Sequence, residues 1–261
     1  MSKDQLHIVK IGGNITGNEE KLDDFLLRFH KLKGKKIIVH GGGRQATELS
    51  EKLGIQAKMH EGRRITDDEA ITVAVQVYAG LVNKKIVSKL QALGTNAIGL
   101  TGADMNLIKC SIRPKDPIDF GWVGDIEPDS VNVEQLDKLL STGAVPVFCA
   151  ITHDGAGHLL NTNADTIASA LSAGMAKVYT EVDLTYCFEM PGVMRDIKDP
   201  GSLIKEIDSK LYDQLKAEEV VKDGMIPKLD NAFNAIESGV SKVHIQEAST
   251  LGNESGTTLI K

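Results

Sequence analysis

Short runs of apolar and β-branched residues alternate with segments of helical periodicity along this chain of 261 residues. The runs predict strands at residues 5–11, 35–40, 96–101, 145–150, 183–189, 243–246 and 257–260. The amphipathic segments predict helices at residues 21–33, 43–53, 67–93, 133–141, 163–174, 203–222 and 228–238. Strands that alternate with helices form parallel sheets with helices on both faces. The predicted fold class is therefore α/β, a three-layer sandwich around a mainly parallel central sheet.

The region between the third and fourth predicted strands has a different pattern. Residues 107–113 and 122–126 resemble short strands, and Pro114 and Pro117 separate them, which predicts a hairpin or a lid. The chain shows no low-complexity linker and no obvious repeat. We place a lobe boundary near residue 160, which divides the chain into an N-terminal lobe, 1–160, and a C-terminal lobe, 161–261, on one continuous sheet.

Charge and cysteine content exclude several classes of protein. The formal net charge of -6 and an isoelectric point of about 5.7 argue against nucleic-acid binding. Cys110, Cys149 and Cys187 are widely spaced without a C-x-x-C pair, which suits reduced thiols in a cytosol. The start, MSKDQLHIVKIGGN, contains no secretory signal, and no run approaches the ~18 apolar residues of a membrane span. We expect a cytoplasmic protein without nucleic-acid or membrane partners.

Two glycine-rich turns follow the first two predicted strands. Gly12 and Gly13 follow the first strand, and Gly41, Gly42 and Gly43 follow the second and open a helix. Their backbone N–H groups and the helix N-terminus would attract an anion such as phosphate. The alternative is a pair of tight, closely packed turns. Neither turn is a Walker A loop or a G-x-G-x-x-G fingerprint, which argues against P-loop enzymes and nicotinamide oxidoreductases.

Two lysines and an aspartate stand at strand ends or helix starts. Lys10 precedes the first glycines and could reach a phosphate oxygen, or it could be a surface lysine. Lys228 opens a helix, where its charge opposes the helix dipole, which indicates a nearby anion. Asp165 falls in the first turn of a helix that Asn161 or Asn163 would cap. From spacing alone, ordinary helix-start chemistry is the more frequent explanation of such a stretch.

Arginines and histidines add one further candidate. Arg63 and Arg64 precede the long helical segment, where one guanidinium could grip a carboxylate or both could be surface charges. His40, His153 and His158 show no metal-binding spacing, so we interpret the histidines as structural and expect no metal held by the protein. No G-x-S-x-G elbow supports serine hydrolase chemistry.

Seven stretches together resemble one family. They are VKIGGN, VHGGGRQATELSEKLG, EGRRITDDEA, LNTNADTIASAL, MPGVMRD, DPGSLI and DGMIPKLDNA. They occur in the order and rough spacing of the acetylglutamate kinases, which have the amino acid kinase fold. The resemblance covers about residues 6–260. Each motif alone is modest, whereas seven in order are highly specific.

The resemblance implies an activity and its main residues. The family phosphorylates the side-chain carboxylate of N-acetyl-L-glutamate with MgATP, giving an acyl phosphate and ADP early in arginine biosynthesis. Matched by motif, Lys10 and Lys228 are the catalytic lysines that neutralise the moving phosphoryl group, and Asp165 orients them. The substrates would be ATP and an N-acylated glutamate, with Mg²⁺ held mainly by the nucleotide.

The resemblance also implies two binding regions. Gly12 and Gly13 would face the ATP phosphates, and Gly42 and Gly43 the acylglutamate. Arg64 would hold a substrate carboxylate, and Asn161 would complete that site. The ATP-binding residues of the C-terminal lobe would be Glu189, Met190, Pro191, Gly192, Val193, Met194, Val220, Val221, Lys222, Gly224 and Met225.

The chain departs from the family pattern in three places. The stretch CFEMPGV has Glu189 where an aspartate is common, and the stretch before it is longer than usual. The C-terminus is shorter than the usual ending. The lid carries Arg113 and Lys115, which could accept a more acidic acyl group such as N-succinyl or could be a solvated loop.

Alternatives stay open within and beyond the family. Another enzyme of the same fold would act on carbamate, aspartate or a nucleoside monophosphate, and a non-enzymatic protein would sense nucleotide or arginine. Arginine-inhibited members carry an extra N-terminal helix that links dimers into a hexamer. Because the first strand here begins near Gln5, we expect an arginine-insensitive homodimer.

Overall fold

One sheet of eight strands runs through the centre of the computed structural model, which describes residues 5–196, 198–221, 225–253 and 255–261. The described strands are β1 (Gln5–Ile11), β2 (Lys35–His40), β3 (Met59–His60), β4 (Arg63–Arg64), β5 (Ala97–Leu100), β6 (Ser111–Ile112), β7 (Gly124–Asp125), β8 (Val145–Cys149), β9 (Ile151–His153), β10 (Leu159–Asn161), β11 (Glu181–Phe188), β12 (Glu206–Ile207), β13 (Lys242–Glu247) and β14 (Thr257–Leu259). The described α-helices are α1 (Gly13–Thr16), α2 (Glu19–Lys31), α3 (Gly43–Lys52), α4 (Asp68–Val75), α5 (Asn83–Ala92), α6 (Val133–Ser141), α7 (Ala164–Met175), α8 (Ser209–Ala217) and α9 (Ile226–Glu237).

The strand order confirms the predicted fold class. Across the sheet the order is β12–β14–β13–β11–β1–β2–β8–β5. The strands from β13 to β5 pair in parallel, whereas β14 runs antiparallel to β13. Because β1 lies between β2 and β11, strands from both halves of the chain share one sheet.

The core lies on both sides of the central strands. Ile37, Ile38 and Val39 of β2 have no exposed surface, nor do Leu6 and Ile8 of β1. Such unbroken apolar runs are typical of strands that are buried on both faces. α7 packs against β1 and β11, while α5 packs against β5 and β8.

One long helix, Asp68–Ala92, comprises α4, a segment of π-type helix and α5. By length and composition alone it could cross a membrane, since its most apolar stretch has a mean hydropathy of 1.2. The sequence has no unbroken apolar run of that length here because polar residues such as Asn83 interrupt it. Val73, Tyr78 and Ile86 are buried, so one side of this helix belongs to the protein core.

The largest secondary-structure difference from the prediction lies at residues 203–222. In the described part of this stretch, residues 203–221, only α8 is helical, and residues just before it form the edge strand β12. Asp208 caps α8 by accepting a hydrogen bond from the Leu211 amide, which starts the helix later than periodicity alone suggested. The hairpins β3–β4 and β9–β10 were not predicted, because strands of two or three residues are too short to show alternation.

We predicted that helices cover both faces of the sheet, but in the described part of the structure one face is partly open. Over β1, β11 and β13 one face opens into a cleft of about 920 Å³ that His7, Asp183 and His244 line. Burial lowers the pKa of both histidines, which favours their neutral forms. The third layer of the sandwich therefore leaves a polar opening on this side.

Candidate active site

The register of the three central strands brings distant residues to one edge of the sheet. Ile11 at the end of β1 is paired with His40 at the end of β2 and with Cys187 near the end of β11. The residues that follow these strand ends therefore lie together. Ligands of parallel sheets bind at such carboxyl edges.

Three helices that start at this edge lack a side-chain cap. α1, α3 and α9 begin after Gly12, Gly42 and Met225, none of which provides a capping side chain. Five other helices are capped by Asn or Asp, namely by Asn18, Asp67, Asn132, Asn163 and Asp208. Uncapped N–H groups and the positive end of a helix attract an anion. Their convergence among the described residues indicates an anion site.

The glycines serve two different purposes. A Cβ at Gly42 would lie 2.5 Å from Cδ1 of the buried Tyr78 ring, so no side chain fits there. A Cβ at Gly12 would meet no atom within 4 Å. Gly42 is therefore required by protein packing, while Gly12 leaves open space in front of the sheet. Tyr78 was not predicted, because its contact with Gly42 depends on the packing of the long helix against the turn.

His40 supports the second glycine turn from beneath. Its Nδ1 lies 2.7 Å from the Gly41 oxygen, and its Nε2 lies 3.1 Å from Nδ2 of Asn83. Burial lowers the pKa of His40 to about 4, so the ring is neutral at physiological pH. A neutral ring that donates from Nδ1 and accepts at Nε2 satisfies both contacts, which agrees with the structural role predicted for this histidine.

Lys10 and Asp165 form a largely buried ion pair at the same edge of the sheet. Lys10 Nζ lies 2.7 Å from Asp165 Oδ1, and the two side chains are 10% and 13% exposed. Asn163 caps α7 by accepting hydrogen bonds from the amides of Asp165 and Thr166, which places Asp165 in the first helical turn. Of the two predicted caps, the structure uses Asn163.

Lys228 approaches this pair from α9. Burial lowers its pKa, Asp165 raises it and Lys10 lowers it again. The ammonium nitrogens of Lys228 and Lys10 lie 4.1 Å and 5.4 Å from the centre of the Phe188 ring. The structure thus brings together the three residues for which sequence analysis predicted a catalytic role, together with an aromatic ring that it did not predict.

Two cavities adjoin at the glycine turns. The lysine cavity, of about 520 Å³, includes Lys10 and Lys228 in its lining. The arginine cavity, of about 670 Å³, includes Arg64 in its lining. Both are lined by the backbone from Gly41 to Arg44 and by Ala164. Two ligands, one bound in each cavity, would therefore meet at the start of α3.

The lysine cavity contains part of the predicted ATP-binding set. Its lining includes Gly12, Gly13, Glu189, Met190, Gly192 and Met225. Five predicted residues lie outside this lining, namely Pro191, Val193, Met194, Val220 and Val221. Lys222 and Gly224 lie outside the described residues. The Val193 amide donates to Thr257 Oγ1, which ties this segment to β14 rather than to the cavity.

The arginine cavity holds the predicted carboxylate-binding residues. Arg64 Nη2 donates to Thr47 Oγ1 at 2.6 Å and to the Gly43 oxygen at 3.3 Å, which fixes the guanidinium beside the glycine turn. Asn161 lines the same cavity. Arg113 from the predicted lid also lines it, but forms an ion pair with Asp125 at 2.5 Å. This cavity is therefore suited to an anionic ligand.

Comparison with known proteins agrees with this geometry. The family model described as "Amino acid kinase family" matches residues 5–247. The chain therefore belongs to the amino acid kinase family. Two curated relatives carry the name acetylglutamate kinase, which confirms the predicted resemblance. The one from Cytophaga hutchinsonii is 52% identical over 248 residues, covering 95% of this chain and 93% of the relative. The one from Phocaeicola vulgatus is 49% identical over 259 residues, covering 99% and 100%.

A solved structure shares the fold at lower identity. N-acetylglutamate synthase from Neisseria gonorrhoeae, complexed with coenzyme A and N-acetyl-glutamate, matches with a TM-score of 0.82 and 19% identity. The match covers 100% of this chain and 60% of the synthase chain. At this identity the likeness concerns the fold alone.

Proposed function

We propose that this chain is an acetylglutamate kinase, which transfers a phosphoryl group from ATP to the side-chain carboxylate of N-acetyl-L-glutamate in arginine biosynthesis. The observation that carries the proposal is the meeting of the two cavities at the glycine turns, beside Lys10, Asp165 and Lys228. The names of the curated relatives, at about half identity over nearly the whole chain, support the same activity.

The chemistry needs alignment and charge neutralisation more than proton transfer. A glutamate carboxyl titrates near ~4.3, so the acceptor is already ionised and needs no general base. Its oxygen would attack the γ-phosphorus, and the bond to the bridging oxygen would break as ADP leaves with the electron pair. Lys10 and Lys228 would offset the negative charge of the two approaching anions, and Asp165 would hold Lys10 in place.

The lysine cavity fits the phosphates of ATP. The open space at Gly12 would let phosphate oxygens approach the backbone, and the three uncapped helix starts would donate N–H groups. No group of three His, Cys, Asp or Glu side chains that could hold a metal occurs in the described ranges. The nucleotide phosphates would mainly hold Mg²⁺, which would supply further charge neutralisation.

The arginine cavity would hold the acylglutamate. Arg64 would grip a carboxylate with its planar guanidinium, and Asn161 would complete that site. Residues 1–160 would then form the acylglutamate lobe and residues 161–261 the ATP lobe. An N-succinyl substrate remains the second candidate because Arg113 lines this cavity, although Asp125 already balances its charge.

We also assign a homodimeric state and a cytoplasmic location. A second copy would cover exposed apolar side chains such as Leu81 of the long helix, which is 64% exposed. The reduced state of three buried cysteines suits a cytosol.

A coupled assay of ADP release with a panel of acceptors tests the proposed activity. We expect turnover with N-acetyl-L-glutamate and little with free glutamate, whose ammonium group would replace the uncharged acyl amide. N-succinyl-L-glutamate, carbamate and aspartate complete the panel. Equal rates with acetylglutamate and free glutamate would overturn the proposal, and release of ADP with no acceptor would indicate a different reaction.

Arg64→Lys tests the assignment of the substrate site in the same assay. It keeps the charge but loses the planar fork, so we expect a raised KM for acylglutamate and little change in KM for ATP. A raised KM for ATP instead would contradict the assignment of the two cavities.

Gly12→Ala and Gly42→Ala should separate ligand contact from packing. Gly12 has φ -89° and ψ 169°, which alanine adopts freely, so its variant should melt like the parent and show a raised KM for ATP. Gly42→Ala should lose about 1–3 kcal/mol of stability, because its Cβ would collide with Tyr78. The measurements are the melting temperature of each variant and its KM values for both substrates. A lower melting temperature for Gly12→Ala than for Gly42→Ala would contradict it.

A further inference from the structure

Lys10 and Lys228, the two lysines of the proposed site, are close to a single carboxylate in the described part of the chain. The titratable side chains around Lys228 are Lys10 on β1 and Asp165 on α7, and Arg44 and Glu189 line the same cavity. Asp165 is paired with Lys10 at 2.7 Å. Among the described residues, one nearby carboxylate therefore serves two ammonium groups, which repel each other.

Glu189 does not provide a second carboxylate for the two lysines. Its Oε1 lies 2.6 Å from Lys21 Nζ, and its Oε2 accepts a hydrogen bond from Asn14 Nδ2 at 2.7 Å. Both carboxylate oxygens thus have partners other than Lys228. These contacts instead tie the end of β11 to the turn after β1.

The Phe188 ring lies close to both ammonium groups. Lys228 Nζ is 4.1 Å and Lys10 Nζ is 5.4 Å from its centre, and both distances are within the ~6 Å range of cation–π attraction. The attraction is strongest for a desolvated cation, and Lys228 is a lysine whose pKa is lowered by burial. Phe188 is itself held by Tyr186, whose ring is stacked at 6.2 Å and 11°.

We propose that Phe188 is a positioning residue, whose ring face holds the ammonium groups of Lys10 and Lys228 at the phosphoryl site before substrates bind. The inference rests on the proposed function of the two lysines. When ATP binds, its phosphates attract the ammonium groups more strongly than the ring does. The two lysines, which are already positioned, then contact the transferred phosphoryl group without a further ordering step.

The test compares Phe188→Leu, which removes the π face, with Phe188→Tyr and Phe188→Trp, which retain it. Phe188→Met is a second aliphatic variant in case the leucine variant folds poorly. Phe233→Leu is the matched control: Phe233 is also partly buried and is stacked at 5.0 Å on a tyrosine, Tyr212.

The first readout is the pKa of Lys228 in the ligand-free protein, followed by NMR of ¹³Cε-labelled lysine and assigned with the spectrum of Lys228→Ala. Loss of the ring face should lower this pKa by roughly 0.5–1 unit in the aliphatic variants. The aromatic variants and Phe233→Leu should leave it unchanged. A Lys228 pKa that is the same in Phe188→Leu and the parent would overturn the proposal.

The second readout is steady-state kinetics with ATP and N-acetyl-L-glutamate. The aliphatic variants should lower kcat by roughly 5- to 30-fold while both KM values change little, and Tyr or Trp should restore kcat. Loss of kcat in the aromatic variants as well would indicate packing alone and refute the inference. Because the NMR titration needs no turnover, it distinguishes the two failures: an inactive parent whose Lys228 pKa still falls in Phe188→Leu would refute the proposed function but not the contact between the ring and Lys228.

Discussion

Replacing Lys10 or Lys228 by alanine should lower kcat by roughly 10²–10³-fold, because each removes an electrostatic contact to the charge that develops on the phosphoryl group. The effect on KM for either substrate should be smaller, since the contact strengthens in the transition state. Lys138→Ala, which removes an exposed lysine paired with Glu134, is the matched control and should leave kcat unchanged.

The two alanine variants should differ in stability. Lys10→Ala leaves the Asp165 carboxylate without its cation in a site that is only 13% exposed, which should cost about 1–3 kcal/mol. Lys228→Ala should melt no lower than the parent. Because the folded-state pKa of Lys228 lies below its ordinary value, its charged form is disfavoured by folding at neutral pH.

Kinetic constants and thermal melts of both variants provide the measurement. A kcat within twofold of the parent for Lys228→Ala would show that this lysine does not contact the transferred group. A melting temperature that falls more for Lys228→Ala than for Lys10→Ala would contradict the assigned charge balance.

Asp165→Asn should lower kcat by roughly 10²-fold or more although the side chain keeps its size. The amide no longer holds Lys10 as an ion pair, so the two ammonium groups repel each other without a shared anion. The variant should also change the pH dependence. Asp165 raises the pKa of Lys228, so its loss should lower that pKa further, and activity that needs protonated Lys228 should disappear at a lower pH.

The kcat–pH profile of Asp165→Asn, measured beside Asp208→Asn, checks this prediction. Asp208 caps α8 and lines neither cavity, and asparagine caps a helix equally well, so this control should behave like the parent. An alkaline limb of Asp165→Asn that stays in place, or moves to higher pH, would refute the role of Asp165 in the charge of Lys228.

Local patterns were sufficient for much of the fold. The predicted bounds of β1, β2 and α6 agree with the structure, because buried apolar runs and amphipathic stripes are properties of neighbouring residues. Residues 203–222 were misjudged because the pairing of β12 with β14 is a contact between distant residues, which competes with helix formation.

The candidate site was also predicted in part. Lys10, Asp165 and Lys228 were selected from helix-start patterns and family motifs, and the structure brings them together. The ring of Phe188 was missed because its importance depends on two lysines that are far away in sequence. Tyr78 was missed for the same reason, since only packing places its ring against Gly42.

By itself, the sequence determined most of the longer strands and helices, which glycines lie after strands and which family the chain resembles, because these follow from residues close together in the chain. The tertiary structure alone decided which elements meet. The parallel pairing of β1 with β11 sets Lys10 beside Tyr186, and so brings Phe188 to the lysines. No local preference specifies that pairing. It follows from burying the apolar faces of all the strands and helices at once, which is a property of the whole chain.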